Sequence, residues 1–110
     1  MNSLFVYGTL APGERNAHIM DGMTGTWQKA SVRGKKFIKG WGRSKLAPGF
    51  FPDPNGDLVK GLIFRSNDLP AHWQRLDDFE GADYQRVEIE AILDTGELIT
   101  TFIYRAVPRT

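Results

Sequence analysis

The order of strand-like and helix-like segments is the feature that most constrains how this chain can fold. Residues 84–93 alternate polar with apolar side chains, DTGE at 94–97 is a compact turn signal, and residues 98–106 read as a returning strand. This pattern predicts an antiparallel hairpin. Further strands are expected at 3–7 and 58–65. Because strands and helices do not alternate regularly, we predict an α+β fold with a small curved or closed, barrel-like mixed sheet.

One longer helix is expected over residues 69–79. Trp73 and Leu76 lie three residues apart, so a helix places them in one apolar stripe. Pro70 suits the first helical turn, and Gly81 is typical of a helix end. This helix should pack its stripe against the sheet.

Three other segments are less regular. Residues 15–23 (RNAHIMDGM) can form one or two helical turns, which would give a second flanking helix. Residues 26–38 alternate loosely around Gly34, which suits two strands or one bent strand. The stretch 39–57 combines glycines, prolines and aromatic residues, and predicts an ordered loop with room for a short strand. We expect the core to include apolar strand residues, namely Phe5, Val6, Leu62, Phe64 and Phe102.

Length and charge set the broad class of protein. A chain of 110 residues suits a single domain over residues 1–110, since two halves would be too small to bury separate cores. Its net charge of +1 provides no field that would gather nucleic acid. It has no cysteine and no apolar stretch as long as a membrane span. We expect a cytoplasmic monomer with no nucleic acid or membrane partner.

Two patterns could suggest a metal site. DPNGD at 53–57 is similar to the start of a calcium loop, but Leu58 stands where that motif requires glycine and Phe64 where it requires an acid. His18 and His72 lie in different predicted helices and lack the H-E-x-x-H spacing of a zinc site. We therefore predict a turn at 53–57 and neither a metal nor another cofactor.

The first predicted strand ends at Tyr7, and the turn Gly8, Thr9, Leu10 follows at once. Glycine allows a ligand to approach backbone N–H groups closely, so such a turn can bind an anion. The glycine spacing is wrong for a P-loop, and no Lys-Ser or Lys-Thr pair follows. Taken alone, this turn is more often an ordinary connection between a strand and a helix.

Four carboxylates gather at the end of the predicted helix: Asp77, Asp78, Glu80 and Asp83. Charged side chains usually lie at the surface, so we expect Asp77, Asp78 and Asp83 to form a solvated acidic end. Glu80 differs because helical spacing from Leu76 places it at the edge of the apolar stripe. Partial burial there would raise the pKa of its carboxyl group and suit it to general acid and base catalysis.

Five segments together carry a resemblance that runs over nearly the whole chain. They are FVYGTL, NAH, VKGLIF, LDDFEGADYQRVEIE and FIYR, in that order. In order and separation they resemble the γ-glutamylcyclotransferase-like family, which includes AIG2-like and γ-glutamylamine cyclotransferase proteins. The resemblance implies a barrel-like sheet flanked by helices, with a pocket between the Tyr-Gly-Thr-Leu turn and the end of the LDDFEG helix.

The resemblance also implies roles for individual residues. Glu80 would move protons, and backbone N–H groups of residues 8–10 would receive the carboxylate of a γ-glutamyl group while Tyr7 forms a pocket wall. The full set of implied binding residues is Tyr7, Gly8, Thr9, Leu10, Tyr84 and Tyr104.

The implied reaction is the intramolecular cyclisation of a γ-glutamyl amine or peptide, which releases 5-oxoproline. It needs no enzyme nucleophile, which agrees with a chain that has no cysteine. Two alternatives stay open: a non-catalytic protein that binds a small ligand in the same pocket, and a domain whose ligand carries a different acid or amine.

Overall fold

The computed structural model describes residues 1–8, 10–14, 16–39 and 47–107. Within them lie six strands: β1 (Ser3–Val6), β2 (Thr26–Lys39), β3 (Ala47–Pro52), β4 (Asp57–Arg65), β5 (Tyr84–Leu93) and β6 (Leu98–Ala106). One α-helix, α1 (Leu69–Glu80), follows β4, and single turns of 3-10 helix lie at Ala17–Met20 and Gly81–Asp83. The predicted first strand, long helix and C-terminal hairpin are thus confirmed, with bounds that differ by one residue at most.

Five strands close into a mixed barrel in the order β2, β4, β1, β6, β5 and back to β2. β1 pairs antiparallel with β4 and parallel with β6. The ring closes where Ala30 and Ser31 of β2 pair with Leu93 and Ile92 of β5. The predicted barrel-like sheet is therefore confirmed as a closed one.

β2 is one continuous bent strand that serves two partners. Its first part pairs with β4 and its last part with β3, and Gly34 belongs to both registers, opposite Asp57 and Pro52. A Cβ atom at Gly34 would clash with the Phe50 ring and the Phe51 carbonyl oxygen of β3. The close approach of β3 therefore requires glycine at this position. The turn predicted at 53–57 is present, with the Gly56 N–H donating to the Asp53 carbonyl at 2.9 Å.

The core consists of two apolar clusters, one on each face of the barrel wall. The interior cluster comprises Phe5, Ala30, Val32, Phe50, Val59, Ile63, Ala91, Leu93 and Ile103. The outer cluster lies against α1 and comprises Leu4, Val6, Leu10, Met20, Phe64, Leu69, Leu76 and Tyr104. Because alternate residues of a strand face opposite sides, β1 contributes to both clusters and is buried throughout.

The core prediction is partly wrong. Phe5, Val6 and Phe64 are buried as predicted, with at most 4% of their surface exposed. Leu62 and Phe102 are only half-buried. Each precedes a residue of the interior cluster, so each faces outward, where α1 covers the barrel only in part.

The predicted second helix is also wrong, because α1 is the sole α-helix among the described residues. Residues Ala17–Met20 form one turn of 3-10 helix instead. Gly13 (φ +82°) and Gly22 (φ +88°) bracket this segment in a left-handed conformation. The stretch between them is too short to nucleate a stable α-helix. No helix of the described ranges has the length and apolar character needed to cross a membrane.

Candidate functional site

Tyr7 directly follows β1, and its side chain contacts the barrel interior. Its ring packs against the interior cluster, with its centroid 5.6 Å from that of Phe50. Its hydroxyl group donates a hydrogen bond of 2.6 Å to the backbone carbonyl of Tyr104 in β6. Tyr7 therefore lines the barrel at the end where β1 finishes.

The turn after Tyr7 is tight. The Gly8 carbonyl accepts a hydrogen bond from the Ala11 N–H at 3.3 Å. Leu10 is buried in the outer cluster, with 5% of its surface exposed. Thr9, also predicted to bind substrate, lies outside the described residues.

Glu80 is the last residue of α1 and is half-buried. Burial raises the pKa of the Tyr7 hydroxyl, and the negative charge of Glu80 raises it further. Burial, followed by the charges of Glu80 and Asp83, raises the pKa of Tyr84 to about 12. The Glu80 charge therefore acts on both the Tyr7 and the Tyr84 hydroxyl groups.

Tyr104 belongs to the same group of side chains. Burial raises the pKa of its hydroxyl group, and so do its hydrogen bond to Asp77 and the charges of Asp77 and Glu80. Arg86 acts in the opposite direction but does not outweigh them. Four of the residues predicted from the sequence, Tyr7, Glu80, Tyr84 and Tyr104, thus gather at one end of the barrel.

Asp77 keeps 40% of its side-chain surface exposed, in partial agreement with the predicted solvated acid, but its carboxylate is also bonded to the barrel. Its carboxylate accepts hydrogen bonds from Arg86 Nε at 3.0 Å and Arg86 Nη2 at 3.2 Å, and Tyr104 donates to the same group at 2.6 Å. Burial alone would raise the pKa of Asp77, but these hydrogen bonds and the Arg86 charge lower it below its ordinary value. The barrel wall offers these donors directly opposite the helix, which explains why the acid is tolerated at a helix C-terminus.

The other two acids at the helix end differ from each other. Asp78 is exposed, as predicted, and accepts a hydrogen bond from Gln74 at 3.0 Å. Asp83 is half-buried rather than fully solvated, and its backbone carbonyl accepts the Val107 N–H at 2.9 Å. The acidic end is thus only partly a surface feature.

Arg86 is the residue of this site that sequence reasoning missed. Its guanidinium carbon lies 4.4 Å from the ring centroid of Trp73 and 4.7 Å from that of Phe102. The signal was available, because Arg86 lies two positions after Tyr84 in a strand and so shares its face.

An open groove of about 610 Å³ lies at the other end of β1. Polar residues such as Ser3, Thr24, Arg65 and Asn67 line it, and none of the predicted site residues does. In the described part of the chain, no three His, Cys, Asp or Glu side chains are placed to hold a metal ion.

The structure defines a class of small closed mixed β-barrels with one α-helix packed against the outer face, which ends in the half-buried acid Glu80. The family model described as gamma-glutamyl cyclotransferase, AIG2-like, matches residues 4–109. The chain belongs to this family. The family resemblance drawn from its sequence segments is therefore confirmed.

Several solved structures share the fold. The crystal structure of an AIG2-like protein from mouse superposes with a TM-score of 0.76 at 23% identity, covering 100% of this chain and 80% of the mouse chain. A structure described as gamma-glutamyl cyclotransferase gives 0.76 at 20% identity, over 96% of this chain and 66% of that one. YkqA from Bacillus subtilis gives 0.71 at 25% identity, over 96% of this chain but 35% of its own. A search of curated proteins found no match.

Proposed function

We propose that this protein is a cyclotransferase that releases 5-oxoproline from a γ-glutamyl amine or peptide, with Glu80 as the general acid and base. The observation that carries the proposal is the half-buried position of Glu80 at the end of α1, from which its charge raises the pKa of the Tyr7 hydroxyl group. Membership of the gamma-glutamyl cyclotransferase, AIG2-like family supports the same activity.

The proposed reaction balances with one carboxylate. Glu80 removes a proton from the α-ammonium group of the substrate, and the free amine attacks the γ-carbonyl carbon. The new C–N bond closes a five-membered ring, while the original amide C–N bond breaks. Glu80 returns this proton to the departing nitrogen, then takes the second proton of the attacking nitrogen as the ring amide forms and passes it to the released amine, so that 5-oxoproline and an ammonium product leave and the carboxylate is restored.

The remaining site residues would fold the substrate into the attacking geometry. Backbone N–H groups of residues 8–10 would receive the α-carboxylate, and Tyr7 would form one wall of the pocket. The raised pKa of about 12 keeps the Tyr84 hydroxyl protonated at neutral pH, so it can donate a hydrogen bond to substrate oxygen. Tyr104 would support the same wall through the Tyr7 hydrogen bond.

We propose further that the protein acts as a monomer on a small γ-glutamyl compound. No residue role in this scheme requires a metal or organic cofactor.

The test is release of 5-oxoproline from a panel of γ-glutamyl amines, amino acids and peptides. Glu80→Gln keeps the shape of the side chain but cannot exchange a proton. It should fold, retain ligand binding and lose about 10²- to 10⁴-fold in kcat. Asp78→Asn is the matched control, since Asp78 is exposed on the same helix, and it should keep the parental rate.

Two results would contradict this assignment. Glu80→Gln with parental turnover beside an impaired Asp78→Asn would mean that another carboxylate moves the proton. Binding of γ-glutamyl compounds without any release of 5-oxoproline by the parent protein would instead make it a small-ligand binding protein.

A further inference from the structure

The last turn of α1 has few apolar anchors. Leu69 and Leu76 are the buried residues of the helix, and Phe79 has 40% of its surface exposed. Glu80 therefore lies beyond the last buried apolar side chain of α1. Polar contacts near the helix end therefore contribute to its position.

Asp77 supplies such contacts through its side chain. Two hydrogen bonds from Arg86 of β5, of 3.0 and 3.2 Å, and one of 2.6 Å from Tyr104 of β6 converge on its carboxylate. The bidentate geometry fixes direction as well as distance, because the guanidinium fork is planar and rigid. We call these three side chains the helix-end clamp.

The clamp also extends to the preceding turn of α1. The Arg86 guanidinium packs on the ring of Trp73, four residues before Asp77, and on that of Phe102 in β6. Trp73 and Phe102 meet edge to face, with centroids 5.1 Å apart. Arg86 therefore contacts two successive turns of the helix from a strand of the barrel.

The backbone continues the connection towards Glu80. The Gly81 N–H donates to the Asp77 carbonyl and caps the helix, so the Asp77 main chain is bonded to the residue that follows Glu80. Gly81 adopts a φ of +75°, which ends α1 at this point. A displacement of Asp77 would therefore displace Glu80 with it.

From these contacts we propose that Asp77 and Arg86 are positioning residues that hold the last turn of α1, and with it the Glu80 carboxylate, in reach of the turn after β1. This inference rests on the proposed function for its catalytic consequence. Neither residue touches the reacting atoms. A misplacement of about 1 Å in a catalytic group can cost about 10²-fold in rate.

Kinetics and amide hydrogen exchange of Asp77→Asn, Arg86→Gln and the double variant test the proposal. In each single variant kcat should fall by at least tenfold while KM changes little, since the N–H groups of residues 8–10 are unaltered. The double variant should be no worse than the poorer single one, because both remove the same contact. Arg86→Lys keeps the charge but not the fork, and should not restore kcat.

The exchange rate of the Gly81 amide is a readout that does not depend on activity. It should rise at least tenfold in Asp77→Asn and Arg86→Gln, and stay at the parental value in the control Asp78→Asn. Melting curves will identify any variant that fails to fold. Arg86→Lys then replaces that variant in the exchange measurement, and its Gly81 amide should also exchange faster than in the parent, because lysine lacks the planar fork.

Each outcome separates the two proposals. If the parent protein releases no 5-oxoproline, the proposed function fails and Gly81 exchange alone decides the clamp. Parental exchange at Gly81 in both single variants overturns the clamp. An active protein whose clamp variants exchange faster but keep the parental kcat overturns the positioning of Glu80.

Discussion

The Tyr7 hydroxyl group and the Tyr104 backbone carbonyl, 97 positions apart in the chain, are joined by a hydrogen bond of 2.6 Å. This contact attaches the turn after β1 to the strand whose other residues meet α1. The turn after β1 and the end of α1 are therefore both hydrogen-bonded to β6, so the barrel sets their relative position.

Replacing Tyr7 with phenylalanine tests the energetic contribution of this bond. The change leaves the ring but removes the donor to the Tyr104 carbonyl, so the free energy of unfolding should fall by about 1–2 kcal/mol. Denaturant unfolding measures the loss. Gln74→Ala, which removes only an exposed hydrogen bond to Asp78, is the control and should change stability by less than about 0.5 kcal/mol. Equal stabilities for Tyr7→Phe and the parent would contradict the prediction.

The relation between Glu80 and Tyr84 can be tested without a substrate. Because the Glu80 charge raises the pKa of Tyr84, Glu80→Gln should lower that pKa from about 12. Asp83→Asn should lower it as well, by less, since Glu80 has the larger influence. NMR titration of the tyrosine ring carbons follows the change. An unaltered Tyr84 titration in Glu80→Gln would mean that the carboxylate points elsewhere.

Gly8 is predicted to allow close approach of a ligand to the backbone. Valine at this position adds bulk at Cβ, so Gly8→Val should weaken binding of γ-glutamyl ligands by more than it lowers the melting temperature. Isothermal titration with 5-oxoproline, beside thermal melting, separates the two effects. Normal affinity in Gly8→Val would place the anion cradle outside residues 8–10.

The lowered pKa of Asp77 predicts a pH dependence of stability. A folded-state pKa below the ordinary value of 3.8 adds stability that is fully present above that value and is lost as pH falls through the lower, folded pKa. The difference in unfolding free energy between the parent and Asp77→Asn should therefore shrink as the pH is lowered below about 4. Chemical unfolding at a series of pH values measures it. A difference that stays constant into strong acid would show that the charged carboxylate is not what Arg86 and Tyr104 stabilise.

The parts of the fold that follow from local periodicity were predictable. Alternation identified the hairpin of β5 and β6, and three-residue spacing identified α1, because one face of each is apolar. Segment order favoured a curved or closed sheet, and the Ala30 to Leu93 pairing that closes it joins residues far apart in the chain. No local pattern specifies that pairing.

The errors have a common physical origin. The bonds of Asp77 to the barrel were missed and Leu62 was expected in the core, because composition and spacing do not tell which outer face of the barrel the helix covers. Spacing places Arg86 on the same strand face as Tyr84, but the same limit concealed its contacts, because Asp77 and Trp73 lie on another element. The prediction of a helix over residues 15–23 was wrong for a different reason. Gly13 and Gly22 both take left-handed conformations and leave a short stretch between them, which forms one turn of 3-10 helix.

β3 lies outside the closed ring, because it pairs only with the part of β2 that begins at Gly34. We call this pair of strand segments the arm. Residues inserted or deleted between β2 and β3 would lengthen or shorten the arm, while strand number and register in the ring stay fixed. Selection could therefore remodel the arm by indels without disturbing the pairing that holds Tyr7 to β6. Differences in length among homologues would be expected to accumulate in that arm first.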